Sequence, residues 1–379
     1  MLAHFAHHLV TALPVPLLPL IRDDFALDYT QSALVISAFA IPYGIAQLPA
    51  GWLADRMAPR LLIAVGISGV AVAGLLVGLS QSYVMLVLCL VLMGLVGGGY
   101  HPAAPPLISA VVEPENRGRA LGLHTIGGGA SYFLAPLAAA GIAAVWGWRS
   151  PFIGLAIPAM AFGVVFYMVL GRRVGAGKTD GGMDGGRGEV SKSGGRWRKL
   201  VPFLVLSTFT QAVILSVVTM IPLYMVDHFR VAEEKAGALI ALVYSSGLWA
   251  GPIGGHLSDR LGRITVIVAV CLIAGPVIYL LSMVPHLWAI SALLVALGIV
   301  IYVRMPVSEA YIVGSTSERH RSMVLGIYYF STMEGSGVLT PVVGNLVDRF
   351  GFHTAFTMAA AAVVVVTLVC SIWLWGKGD

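Results

Sequence analysis

The chain has 379 residues, 58% of them hydrophobic and only 11% charged, with a formal net charge of +5. Soluble domains carry roughly 25% charged residues, so this composition excludes an ordinary soluble protein and points to a membrane protein. The charge balance alone would suit nucleic acid, but the distribution of the charges argues otherwise.

Crossing a hydrocarbon core takes about 20 apolar residues, and backbone groups that face lipid must be satisfied within a helix. Runs of this kind predict twelve spans, at about 3–21, 31–52, 61–80, 83–111, 119–145, 151–171, 201–226, 236–256, 264–284, 288–315, 322–346 and 354–375. The stretch between the sixth and seventh is glycine-rich and basic. It cannot bury enough apolar surface to fold, and it predicts a cytoplasmic linker over 172–199 between halves spanning 1–171 and 200–379.

Of the 23 Lys and Arg, 17 fall on the side holding the linker and both termini, five on the other, and Arg304 inside a span. The positive-inside rule then puts both termini in the cytoplasm. The charge is a topology signal, and nucleic acid is not an expected partner. The first apolar run lacks the basic region and cleavage site of a signal peptide and is expected to remain as a helix. Cys89, Cys271 and Cys370 all lie in predicted spans and read as packed thiols.

The stretch Gly51-Trp52-Leu53-Ala54-Asp55-Arg56 returns as Gly255-His256-Leu257-Ser258-Asp259-Arg260. One offset, 259 − 55 = 204, relates the copies, and it also joins Asp23 to Asp227, Pro102 to Pro306 and Gly147 to Gly351. One six-helix unit is used twice. An even number of spans keeps both copies in the same orientation.

These two loops resemble the G-x-L-A-D-R-x-G-R-R signature of the major facilitator superfamily, in the positions between helices 2 and 3 of each half. The resemblance covers the whole chain. It implies an all-α membrane fold of twelve helices in two six-helix parallel repeats, with helices 1, 4, 7 and 10 lining a central cavity. It also implies a conformational latch of Gly51, Asp55, Arg56, Gly255, Asp259 and Arg260 that holds the outward-open state and breaks in the inward-open one. Ala58 and Pro59 depart from the signature, so the first loop is expected to differ in shape. The "HP" of helix 4 is similar to the fosmidomycin-resistance branch. The segment Gly127 to Gly141 resembles the helix-5 motif of the antiporters only in part, and its small residues equally suit close helix packing.

Ionisable residues within spans are functional candidates, because burying them is costly. Here they are His4, His7, His8, His101, His124, Arg304, Glu309 and Glu334. Counting from the turn near Glu318, Arg304 and Glu334 sit at nearly equal depth on neighbouring helices, where they could pair. That pair reads either as a static structural element or as a working site, with Arg304 binding an anion and Glu334 carrying a proton. Tyr100 and His101, opposite Arg304 in the repeat, are expected to face the same pocket with His8, and His101 could serve proton coupling. His4 and His8 stand one helical turn apart, but two ligands without an acid make a weak metal site, and no metal or cofactor is expected.

The chain shows neither a G-x-x-x-x-G-K-[ST] nucleotide loop nor an H-E-x-x-H or G-x-S-x-G motif, so neither a pump nor an enzyme is expected. The sequence predicts a multi-pass secondary transporter of the cell membrane, the inner membrane in a bacterium. It would move a small organic solute, anionic by the presence of Arg304, by alternating access coupled to protons. A multidrug/proton antiporter is the alternative, and a non-transporting sensor the remote one. The expected partners are the solute, protons and the bilayer, and the expected state is a monomer.

Overall fold

A computed structural model describes residues 1–54, 56–174 and 196–375. Most of the predicted linker and the latch residue Asp55 lie outside these residues. Among them there is no strand. The chain runs through α1 (Leu2–Thr11), α2 (Leu18–Phe25), α3 (Tyr29–Ala54), α4 (Pro59–Ala64) and α5 (Val70–Gly78), then α6 (Tyr83–Gly97), α7 (Tyr100–Val111), α8 (Arg117–Trp146) and α9 (Arg149–Val174). The second half holds α10 (Arg196–Phe229), α11 (Glu233–Ser245), α12 (Ala250–Leu261), α13 (Arg263–Leu281), α14 (Leu287–Ser315) and α15 (Glu318–Leu374).

Nine of the described helices are long and apolar enough to cross a membrane, ten if the bent pair α11 and α12 is one span. The run α15 is itself two helices, because Gly351 (φ 77°, ψ 167°) breaks its backbone. The order of the described helices is consistent with the twelve predicted spans, of which the first, fourth and eighth are interrupted. The predicted first span, 3–21, is not continuous. Pro14 and Pro16 offer no N–H to the helical ladder, and the chain turns between α1 and α2. The eighth is bent at Trp249, because in a continuous helix the ring of Pro252 would clash with the carbonyl of Leu248, four residues before it. The fourth breaks at Gly98 and Gly99, where glycines and Pro102 weaken it as expected. A wider π turn at Val65–Gly69 joins α4 to α5.

The repeat extends to backbone conformation. Among the described residues the two non-glycine ones with positive φ, Ala26 (51°) and Arg230 (55°), are 230 − 26 = 204 apart, and so are Gly147 and Gly351, both at 77°. The predicted departure in the doubled loop is also present. Gly262 adopts φ +88°, a conformation closed to most side chains, whereas its counterpart Ala58 has φ −59°.

The halves meet along two seams, α3 against α15 and α8 against α11. At one end Arg22 pairs with Asp227, and the backbone N–H groups of Tyr29 and Thr30 donate to the Asp348 carboxylate at 3.0 and 2.8 Å. Deeper, the Ser37 hydroxyl donates to the Gly337 carbonyl at 2.6 Å. At the end bearing the doubled loops, a Cβ added at Gly51, Gly122, Gly255 or Gly326 would meet nothing within 4 Å. The molecule is thus closed on the face of the Ala26 and Arg230 turns.

Candidate functional site

Two buried polar clusters interrupt the apolar interior, one in each half. In the second half, Arg304 of α14 is 2% exposed. Its Nη1 donates to the carbonyl (3.0 Å) and hydroxyl (2.6 Å) of Ser207 and to the Tyr328 hydroxyl (3.0 Å), and its Nη2 donates to Gln211 Oε1. Ser207 Oγ lies 2.7 Å from Ser308 Oγ. Ser207 and Gln211 are one turn apart on α10, so both reach the same guanidinium. Every one of these partners is neutral, and Arg304 Nε has none. Tyr328 also borders a groove of about 210 Å³ with Leu204, Val205, Thr208 and Ser331.

Arg304 and Glu334 do not pair. Glu334 turns across the seam to the first half, where a Cβ at Gly44 would collide with its Oε1, an oxygen buried without a hydrogen-bond partner. The hairpin count placed the two residues at one depth but could not tell which way each side chain points around its helix. Glu309 hydrogen-bonds Tyr329.

The first half gathers five histidines. His7 Nδ1 lies 2.8 Å from the Gly66 carbonyl and its Nε2 3.0 Å from the Tyr43 hydroxyl, while the π turn carries Gly66 into reach. His4 Nδ1 donates to the His124 carbonyl at 2.8 Å, and the rings of His4 and His124 stack at 4.2 Å. His101 stands edge-on to His4 at 5.2 Å and 5.3 Å from His8. Tyr100 is fully buried, stacked on His7 at 4.3 Å, and faces the interior of its own half. It borders a cavity of about 530 Å³ with Leu2, His124 and Phe166. Among the described residues no hydrogen bond or ring contact joins Tyr100 or His101 to Arg304, so each stays with the polar cluster of its own half.

The glycines of α8 have a packing role: a Cβ at Gly127 would collide with the Met1 carbonyl, and one at Gly128 would lie 2.6 Å from His4 Cε1. Of the latch residues, Arg56 lies over its own Trp52 ring at 4.0 Å, while Asp259 and Arg260 are exposed. The sequence reading missed Ser207, Gln211 and Tyr328. The i, i+4 polar pair inside the apolar run "LSTFTQAVIL" was the available signal.

The sequence matches the Major Facilitator Superfamily description over residues 1–247 and again over 204–378. The chain belongs to the major facilitator superfamily. It is a multi-pass secondary transporter. Among relatives of this major facilitator, the "Probable sulfoacetate transporter SauU" of Cupriavidus necator is 29% identical over 65% of this chain and 60% of its own length. The "Multidrug resistance protein MdtG" of Dickeya zeae is 25% identical over 87% of this chain and 80% of its own. The fold is similar to the crystal structure of a bacterial homologue of the human lysosomal transporter Spinster, inward-facing and unoccupied. That comparison has a TM-score of 0.78 at 15% identity and covers 98% of this chain and 94% of that one.

Proposed function

We propose that this transporter carries a small organic anion, recognised at Arg304 and driven by protons through Glu334. The observation that carries this reading is the Arg304 guanidinium, buried to 2% exposure among neutral partners only. A buried cation with no carboxylate hydrogen-bonded to it is costly, the nearby Glu309 carboxyl being bonded to Tyr329 instead, and an arriving carboxylate or sulfonate relieves that cost while accepting hydrogen bonds in a planar fork. Tyr328, which holds Nη1 and borders the groove, is the side chain a solute meets first. The relative named for sulfoacetate supports the same class of solute. Glu334 lies on the α3 and α15 seam, so gain of a proton there alters a contact that must change when the halves rock. By the positive-inside rule the face bearing the chain ends is cytoplasmic, which puts the closed face outside.

The second reading, a multidrug exporter, is favoured by the breadth of the match to the multidrug relative. It loses its helix-5 support, because Gly127 and Gly128 serve the contact of α8 with α1.

Purified protein in liposomes distinguishes the two. Arg304→Lys should weaken binding of sulfoacetate or a sugar acid by about ten-fold or more, as hydrogen bonds to charged groups contribute about 1.5–3 kcal/mol. Glu334→Gln should bind the solute yet lose the response to a pH gradient. Wild-type binding in Arg304→Lys, with uncharged or cationic drugs transported, would leave the multidrug reading in place.

A further inference from the structure

We propose that His4, His8 and His101 form a three-imidazole site for a transition-metal ion of the zinc class. One nitrogen from each residue lies within 4.8 Å of the other two. The ring centroids form a near-equilateral triangle of 4.8, 5.2 and 5.3 Å. Three imidazoles on a tetrahedral ion, with metal–nitrogen bonds of about 2.05 Å, put their centroids about 5.2 Å apart and their nitrogens about 3.3 Å apart. The rings already stand at the required spacing. Rotation about the side-chain bonds brings the nitrogens inward.

The hydrogen bonds around the cluster choose which lone pairs are free. His4 Nδ1 donates to the His124 carbonyl at 2.8 Å, so Nε2 carries the lone pair, and Nε2 is buried without a partner. The Thr11 hydroxyl is within reach of the His7 and His8 carbonyls as a donor, so its oxygen accepts from His8 Nδ1 at 3.1 Å and leaves His8 Nε2 free as well. Ligating histidines commonly fix their ring in this way, by donating the other N–H to a carbonyl or hydroxyl. His7 is the internal contrast. Both its nitrogens are occupied, by Gly66 and Tyr43, and it has no lone pair to give.

The helices are arranged to permit the site. His4 and His8 are one turn apart on α1 and therefore share a face. His101 enters from α7, in the turn just after the Gly98–Gly99 break. Gly128 of α8 leaves space beside the free nitrogen, since a Cβ there would lie 2.8 Å from His4 Nε2. His4 and His8 are 8% and 6% exposed, while His101 is only partly buried and gives the ion access.

The donor set selects the ion. Three neutral imidazoles without a carboxylate suit Zn²⁺, Co²⁺, Ni²⁺ or copper, and exclude Mg²⁺ and Ca²⁺, which need oxygen ligands. Three ligands leave the fourth position open to water or an anion.

The test reads metal binding directly and is independent of any transported solute. Protein freed of its affinity tag and stripped with EDTA is titrated with Co²⁺. The expected result is the intense visible absorption of four- or five-coordinate, nitrogen-ligated cobalt, saturating at one ion per chain and abolished by Zn²⁺. His4→Gln, His8→Gln and His101→Gln should each weaken binding at least ten-fold, and His286→Gln, on the far side of the molecule, should not. Melting curves without metal establish that each variant is folded. For any that is not, ethoxycarbonylation of the wild-type histidines by diethyl pyrocarbonate, read by mass spectrometry, should show Zn²⁺ protecting His4, His8 and His101 and leaving His286 reactive. No saturable cobalt spectrum, or the same affinity in the cluster variants as in the wild type, overturns the site. Equal protection of all histidines overturns it too.

Discussion

Arg22 of the first half and Asp227 of the second form a two-pronged ion pair across the closed face. Nη2 donates to Oδ1 at 3.0 Å, Nη1 donates to Oδ2, and the Tyr29 hydroxyl adds a third bond at 2.6 Å. The side chains are 13% and 28% exposed, so water screens the pair only in part. A double-mutant cycle of Arg22→Ala and Asp227→Ala should give a coupling of about 1–2 kcal/mol in favour of the closed face. Spin labels at Ala26 and Ala232, whose separation reports opening of this face, supply the measurement. Unchanged distance distributions in both variants would falsify a gating role.

The same face should respond to pH. Asp23 and Glu233 share a hydrogen bond across the halves, which requires one proton between two carboxyl groups. Burial alone would raise the Asp23 pKa, but the bond from Glu233 and the charge of Arg22 outweigh it and hold Asp23 below its usual range, so the proton resides on Glu233. The closed state therefore binds a proton that the open state, with separated carboxylates, releases near the ordinary carboxylate pKa. Raising the pH removes it from the closed state only and favours opening. Glu233→Gln keeps a donor that cannot ionise and should flatten the pH response of the label distance. A response as steep as the wild type's would assign it to another group.

Two glycines separate stability of a half from stability of a conformation. At Gly237 an added Cβ collides with the Pro16 carbonyl of the other half, whereas at Gly94 it collides with the Phe39 carbonyl of the same half. Gly94→Ala should reduce folded yield and lower the melting temperature, because overpacking typically costs about 1–3 kcal/mol. Gly237→Ala should fold normally and shift the protein away from this closed face. Equal loss of yield in the two variants would count against the seam as a mobile interface.

The doubled loop should matter in the opposite conformation. Asp259→Asn, and Asp55→Asn in the first copy, should leave melting unchanged here, where Asp259 is exposed, yet slow transport several-fold. The expected loss follows from a carboxylate–helix-terminus interaction of about 0.3–1 kcal/mol or more when shielded. Proteoliposome uptake beside melting curves checks this, and wild-type rates would reduce both residues to loop acids.

The repeat and the weak point of helix 4 were legible because they are written in residue identity, the repeat at a fixed offset and the weak point in Gly98, Gly99 and Pro102. The break after Thr11 was missed although Pro14 and Pro16 signalled it, because the apolar run around them reads as one continuous span. Site geometry was less accessible. Residue counts along a hairpin give depth and say nothing of azimuth, so Arg304 and Glu334 were matched although one faces α10 and the other α3. The third histidine of the cluster escaped for a related reason: the 97 residues separating His101 from His4 carry no periodic signal, and only the packing of α7 against α1 brings them together.

The positive φ angles at Ala26 and Arg230 have a historical consequence. A left-handed alanine or arginine is disfavoured by about 1 kcal/mol relative to glycine, so two unrelated segments have little reason to adopt it independently at the same register. The turn was already present in the single six-helix ancestor, and gene duplication copied it together with the break at Gly147 and Gly351. Ala58 against Gly262 is a position at which the two copies differ, in residue and in backbone conformation alike.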